Sequence, residues 1–392
     1  MSTVKLFPTI AIMLGGLAIA SAAGLFLADA PRAFGIRLLF DGYDLSVYYN
    51  SSRWIIEGGR LYREVPSEYP LLANIIFAAY RYLSNLVAPG FHGFVVVWIA
   101  SACFIFYIFL IYRIAPGGAI SVLAWLAPAP IYFALYRYDL YPALATFSAL
   151  IAIRRNAYIE GALWLGIAAA LKGYALFLFP AYCIFIVYQR GFITALIVSA
   201  VMVAPMTLSL LVTFGFAGWE GVVAPFKFHL ERATNGHSTY DAMNYLFRSP
   251  VTLGLKNALW ITYLLQIGAA VAAAAARPRH FENLINSFLF ALFGFMSFSV
   301  FYSPQFLLWV LPLLYFSTSR VMLITTILLS WLTYLYFPVI YDFDDGDANM
   351  RSLKIAVITI TLLRLMMMFV AGKLMLKPRE KVGSLNATNW PS

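Results

Sequence analysis

The chain of 392 residues is 62% hydrophobic and only 11% charged, with a mean hydropathy of +0.81. A soluble globular domain is about 45–50% apolar, so this composition excludes a water-soluble fold and places the chain in a bilayer. The formal charge of +10 is scattered through short segments between apolar runs. That is the pattern of cytoplasmic loops and argues against a nucleic-acid footprint.

Apolar runs fall at 7–28, 70–88, 91–112, 118–136, 140–153, 157–171, 174–188, 191–214, 256–276, 281–302, 304–316, 317–338 and 353–376. They predict an all-α polytopic membrane protein with about 11 to 13 transmembrane helices, since about 20 apolar residues cross the hydrocarbon core. The first run is long enough to remain as a helix rather than a cleaved signal. A single integral membrane domain over 1–376 and a cytoplasmic tail over 377–392 are expected. Cys103 and Cys183 both sit inside apolar runs, which points to neither a disulfide framework nor a metal site.

Orientation reads most easily backwards from the tail. Lys373, Lys377, Arg379 and Lys381 put the C-terminus in the cytoplasm. Working back places Arg320, Arg277, Arg279, Arg190, Arg154 and Arg155 inside. The acidic run 341–347, the turn 302–305, a long loop over 215–256, Lys172 and residues 137–139 then lie outside. Counting forward from a cytoplasmic N-terminus clashes with this by one crossing at residue 137. A break of the 118–136 run at Ala127, Pro128, Ala129 and Pro130, re-entering on the same side, restores the count. Two prolines remove backbone donors and obstruct a helix there.

The first external loop, 29–69, is rich in charge for so apolar a chain. Asp41 and Asp44 lie three residues apart and would share one helical face, a pair of carboxylates from which one can serve as a base. Helix capping accounts for Asp41 equally well. Tyr48, Tyr49, Trp54, Ile55 and Ile56 then alternate with polar residues as in an interfacial helix, which Gly58 and Gly59 end. Arg137 and Asp139 flank Tyr138 between apolar runs, either as a local ion pair or as substrate contacts. Lys172 is a lone ammonium that can meet a lipid phosphate or simply snorkel to the headgroups. The 215–256 loop carries Lys227, His229, Glu231, Arg232, His237 and Asp241, and reads as an amphipathic segment whose cationic and imidazole groups suit a phosphate or sugar. Gln305 can bind a hydroxyl or satisfy a helix end. Neither the histidine spacing nor the acidic run Asp342, Asp344, Asp345 and Asp347 matches a metal signature, so no metal is assigned. Asn386 opens a glycosylation sequon on the expected cytoplasmic tail and is discounted.

The order of these signals carries a resemblance. The run DLSVYYNSSRWIIEGGRLYREVPSEYPLL is similar to the opening loop of bacterial GT-C membrane glycosyltransferases. It is nearest to the polyprenol-phosphate-mannose-dependent alpha-mannosyltransferases that include the mycobacterial phosphatidylinositol-mannoside enzymes. RYDLYPAL, GIAAALKGYALFLFP and YSPQFLLWVLPLL follow in family-like order, so the resemblance spans about residues 40 to 316. The family's Tyr-Pro-Pro is Tyr69-Pro70-Leu71 here.

The resemblance implies an inverting enzyme in the bacterial inner membrane, with its active site facing the exterior. It would move one sugar, mannose favoured, from a polyprenyl monophosphate to a hydroxyl of a lipid or glycan acceptor, without a cofactor. Asp44 becomes the catalytic base, with Asp41 in reserve. Lys172, Arg232 and His237 become the phosphate contacts, Arg137 stands second to them, and Asp139, Tyr69 and Gln305 line the substrate site. A flippase for a lipid-linked sugar and a non-catalytic assembly subunit are the rival classes. The flippase suffers from the lack of a visible inverted repeat and from polar groups that crowd one face. An O-antigen ligase would also use a lipid phosphate, with its key loop late in the chain.

Overall fold

The computed structural model describes residues 15–16, 42–87, 92–114, 119–231, 236–247, 259–317, 319–341 and 347–377. Most of the predicted 7–28 span lies outside these residues, as do Asp41, Arg232, Asp342, Asp344, Asp345, Arg379, Lys381 and Asn386. Among the described residues the regular structure is helical and no β-strand forms, which makes the protein all-α.

We number the described helices in chain order. The first loop contributes α1 (Tyr43–Ser51) and α2 (Arg53–Ile56), followed by α3 (Leu71–Val87) and α4 (His92–Ile114). Then come α5 (Ala119–Trp125), α6 (Pro128–Tyr136), α7 (Leu140–Arg154), α8 (Tyr158–Leu171) and α9 (Phe179–Arg190). The rest are α10 (Phe192–Glu231), α11 (Thr239–Phe247), α12 (Leu259–Ala275), α13 (Phe281–Phe298), α14 (Leu307–Phe316), α15 (Arg320–Tyr334) and α16 (Asp347–Leu376).

Among the described residues, five stretches are long and apolar enough to cross a bilayer alone: His92–Ile111, Phe192–Glu231, Phe281–Phe298, Arg320–Ile340 and Arg351–Leu376. The other apolar helices, α3, α7, α8, α12 and the Pro304–Phe316 segment, have 10–17 residues each. At 1.5 Å per residue these fall short of the roughly 30 Å hydrocarbon core, so they cross only with help from flanking segments. The long apolar helices are those of a multi-pass membrane protein.

The prolines act where expected. The 118–136 run is split into α5, of 7 residues, and α6, of 9, with Ala127 extended between them and proline in the first turn of α6. Neither half crosses alone, at about 10 and 14 Å. The 215–256 segment differs from the expected loop. Its first part is helical, because α10 continues as far as Glu231 after a break at Gly218, where φ is +68°. Only glycine takes that left-handed angle without strain. Arg63 from the first loop donates its Nε–H to the Ala217 carbonyl at 2.9 Å, so the break is fastened by the loop. Trp54 lies parallel to Phe216 beside it, at 6.3 Å between centroids.

The core is aromatic and alanine-rich, and it is tightest where α8 meets α10. A Cβ on Gly166 would stand 2.3 Å from the Met202 carbonyl oxygen, so glycine is what lets the backbones touch. The lipid-facing side of α10 is bare: Ile193, Leu196, Leu208, Leu211 and Phe214 are exposed. Replacement Gly166→Ala should overpack this crossing and destabilise the protein by about 1–3 kcal/mol. A lowered unfolding midpoint of the purified protein in detergent checks this, and an unchanged midpoint would show that the helices can part without cost.

Candidate functional site

The polar centre is built on the short link between α6 and α7. Arg137 leaves α6 in an extended conformation, and Asp139 stands at the N-terminus of α7 without capping it. Its carboxylate instead turns into the core, where it is fully buried. Oδ1 accepts from Lys172 Nζ at 2.7 Å and from Trp309 Nε1 at 2.7 Å, and Oδ2 accepts from Gln305 Nε2 at 3.2 Å. A buried carboxylate is costly unless it is both paired and hydrogen-bonded, and Asp139 is both.

Lys172 ends α8, with its backbone extended before the 3₁₀ turn Gly173–Leu178. Its ammonium lies 4.7 Å from the Tyr138 ring centre and 5.4 Å from that of Trp309. Trp309 is itself held rigid, stacked on Tyr174 at 4.3 Å and on Phe306 at 3.9 Å. Gln305 comes from the 3₁₀ turn Pro304–Phe306, which sets it one turn ahead of Trp309.

Asp44 sits in the first turn of α1, where a carboxylate suits the helix dipole. It forms an ion pair with the Arg137 guanidinium. Tyr48, one turn on, donates to Asp44 Oδ2 at 3.4 Å and accepts from the Tyr138 backbone N–H at 3.2 Å. Burial, reinforced by Tyr69 and by the Asp139 charge, pushes the Tyr48 hydroxyl well above its ordinary pKa, so it remains a donor. Tyr69 forms a wall here, edge-on to Tyr138 at 5.1 Å and to Tyr48 at 5.8 Å. The Tyr69 carbonyl is pinned by the Tyr62 hydroxyl at 2.7 Å and by Asn74 Nδ2 at 2.8 Å.

The residues on either side of Tyr138 thus reach different partners. Asp139 takes Lys172 as its counter-ion rather than its neighbour Arg137, which replaces the local pair that was one sequence reading. The inner members are Arg137, at 7% side-chain exposure, and Asp139, at 0%. The outer members are Asp44, at 15%, and Lys172, at 19%. A carboxylate and an ammonium are therefore presented around one tyrosine cluster, each backed by a buried opposite charge.

Asp44, Arg137, Asp139, Lys172, Gln305 and Tyr69 come together, whereas His237 stands apart. Its ring meets Tyr336 through a short Nδ1 contact and lies edge-on to Tyr341 at 6.2 Å. Burial is the main reason its pKa falls to about 4, so the ring is neutral at physiological pH and is not the cation expected for a phosphate. Asp41 and Arg232 lie outside the described residues.

Trp309 and Arg81 were not singled out in the sequence, and Tyr48 was read only as part of an interfacial helix, not as a site residue. Tyr48 and Trp309 each follow a candidate by four residues, the spacing that puts side chains on one helical face, so the signal was present. Arg81 on α3 lies 4.2 Å over the Tyr49 ring and binds Glu57 at 2.6 Å, which clamps the first-loop helices to the bundle. Nothing local to the sequence announces that contact. Among the described residues no cluster of three His, Cys, Asp or Glu could hold a metal ion.

Fold and polar centre together define the class, an all-α multi-pass membrane protein with an ion-paired, tyrosine-walled centre. No known family, curated protein or solved structure matches the chain.

Two outcomes follow from these charges. Asp139→Asn leaves Lys172 without its counter-ion, and breaking a fully buried pair in this way costs about 3–5 kcal/mol. With Lys172 partly exposed, the loss should fall at the lower end and show as a reduced unfolding midpoint. For His237, the folded pKa of about 4 lies below the ordinary 6.5. The unfolded chain therefore binds the extra proton between those values, and stability falls as pH drops from 6.5 towards 4. His237→Gln should flatten that part of a midpoint-against-pH curve, and parallel curves for the two proteins would refute it.

Proposed function

We propose that the protein is a GT-C-like glycosyltransferase. It moves one sugar, with mannose the favoured candidate, from a polyprenyl monophosphate to a hydroxyl of a lipid or glycan acceptor on the extracytoplasmic face of a bacterial inner membrane. The observation that carries the reading is the partly exposed pair Asp44 and Lys172, each backed by a buried counter-ion beside the same tyrosines. The family-like order of the motifs in the chain supports it independently.

The chemistry needs those two charges. Asp44 takes the proton from the acceptor hydroxyl as that oxygen forms its bond to the anomeric carbon. The bond from that carbon to the phosphate oxygen breaks on the opposite side, so configuration inverts. The electron pair leaves with the polyprenyl phosphate, whose growing negative charge Lys172 offsets. The Arg137 guanidinium pairs with Asp44, and the Tyr48 hydroxyl orients it. Tyr69 and Tyr138 wall the site, and Gln305 holds the carboxylate that positions Lys172.

The test uses the purified protein with polyprenyl-phosphate sugars and membrane-lipid acceptors. Asp44→Asn should lower turnover by about 10²- to 10⁴-fold, the usual contribution of a positioned base. Wild-type turnover in that variant would remove Asp44 from the chemistry. Movement of an intact lipid-linked sugar across proteoliposomes, with no transfer product, would instead favour a flippase.

A further inference from the structure

A second cation lies deep in the bundle, and the polar centre does not use it. Arg364 interrupts the apolar helix α16 in the middle of its Arg351–Leu376 span and is fully buried. Among the described residues its hydrogen-bond partners are neutral. Nη2 donates to Thr361 Oγ1 at 2.8 Å, and Nη1 donates to the Met296 carbonyl at 3.4 Å. The Tyr302 ring lies 3.7 Å from the guanidinium carbon. Among the described residues its Nε–H has no hydrogen-bond partner and no carboxylate is within ion-pair distance of Arg364. A cation–π contact attracts the guanidinium but leaves its charge uncompensated. Buried charges in membrane proteins are kept where they pair or where they meet a ligand.

The surroundings point to the ligand. The helical ladder is broken in several segments near this arginine. Ser299 leaves α13 in an extended conformation, and Tyr302 follows in non-helical backbone. The segment Leu335–Ile340 is interrupted at Phe337, next to Tyr336. His237, which Tyr336 contacts, sits in the irregular link before α11 and feels the Arg364 charge. Irregular backbone at membrane depth is tolerated where it is enclosed by protein or lines a cavity. A guanidinium is planar, and its fork of donors matches the oxygens of a phosphate.

We propose that Arg364 anchors a phosphate-binding subsite, reached when the covering Tyr302 ring moves aside, that takes the phosphate of a membrane-dissolved amphiphile or a free phosphate. The subsite is separate from the Asp44–Lys172 group. The rings of Tyr302, Phe306 and Trp309 stand in series between Arg364 and Asp139, with centroids 5.7 Å and 3.9 Å apart. The proposal does not rest on glycosyl transfer, because binding is read without turnover.

The experiment measures binding of a polyprenyl phosphate, and of inorganic phosphate in a parallel arm, to the full-length protein in detergent. Arg364→Met should weaken binding by about tenfold or more. Its own unfolding midpoint without ligand should equal or exceed that of the wild type, since an uncompensated buried charge has been removed. Wild-type affinity in R364M overturns the proposal. So does a lower ligand-free midpoint with affinity retained, which would make Arg364 a structural tether. Should R364M fail to fold, a photoactivatable polyprenyl phosphate decides on the wild-type protein. Crosslinks to peptides carrying Tyr302 or Arg364 support the subsite, and crosslinks confined to other peptides overturn it. Saturation by the lipid alone assigns an amphiphile, and equal competition by inorganic phosphate assigns the free anion.

Discussion

One buried carboxylate organises the centre of this molecule. Asp139 is the point at which the end of α8, the 3₁₀ turn before α14, and α14 itself meet the α6–α7 link. An ionised group at that depth is tolerated only if its donors are in place together. Lys172, Gln305 and Trp309 must therefore be correctly positioned at once, and the helices that carry them are drawn into register. What is rigid around Asp139 then positions what is exposed: the Lys172 ammonium on one side and, through Tyr138 and Tyr48, the Asp44 carboxylate on the other.

The second constraint is mechanical. The first-loop helices are short and carry little buried surface of their own, so they depend on clamps. Arg81 holds α1 and α2 through Tyr49 and Glu57, and Arg63 ties the same loop to the broken turn at Gly218. An interfacial segment with such attachments can keep Asp44 at a fixed place against Arg137. The clamps are arginines because a guanidinium can bind a carboxylate or carbonyl and stack on a ring at the same time.

Much of this was legible along the chain. Apolar runs announced an all-α membrane fold, the Pro128 and Pro130 pair announced the break before α6, and Gly58 announced the end of the first-loop helices. Asp44, Arg137, Asp139, Lys172 and Gln305 stood out because charge and amide are rare in so apolar a sequence. The long helix over 215–231 was not legible. Its aromatic, charged and glycine-containing stretch lacks a span's uniform hydrophobicity, yet after the Gly218 break the helix simply resumes. His237 read as a cation because a sequence cannot state burial, and burial is what neutralises it.

The sequence by itself determined the solvent of this protein, its helical content and the few side chains able to do chemistry, because hydropathy, proline and charge act locally. Only the tertiary structure decided the pairing. Arg137 and Asp139 are almost adjacent, yet one faces Asp44 and the other Lys172, because the turn at Tyr138 sends them in different directions. Arg364 makes the same point from the other side: it lies in the middle of an apolar helix, and among the described residues its hydrogen-bond partners are neutral. Which charges are compensated depends on distances between segments remote in the chain, and those distances exist only once the helices have packed.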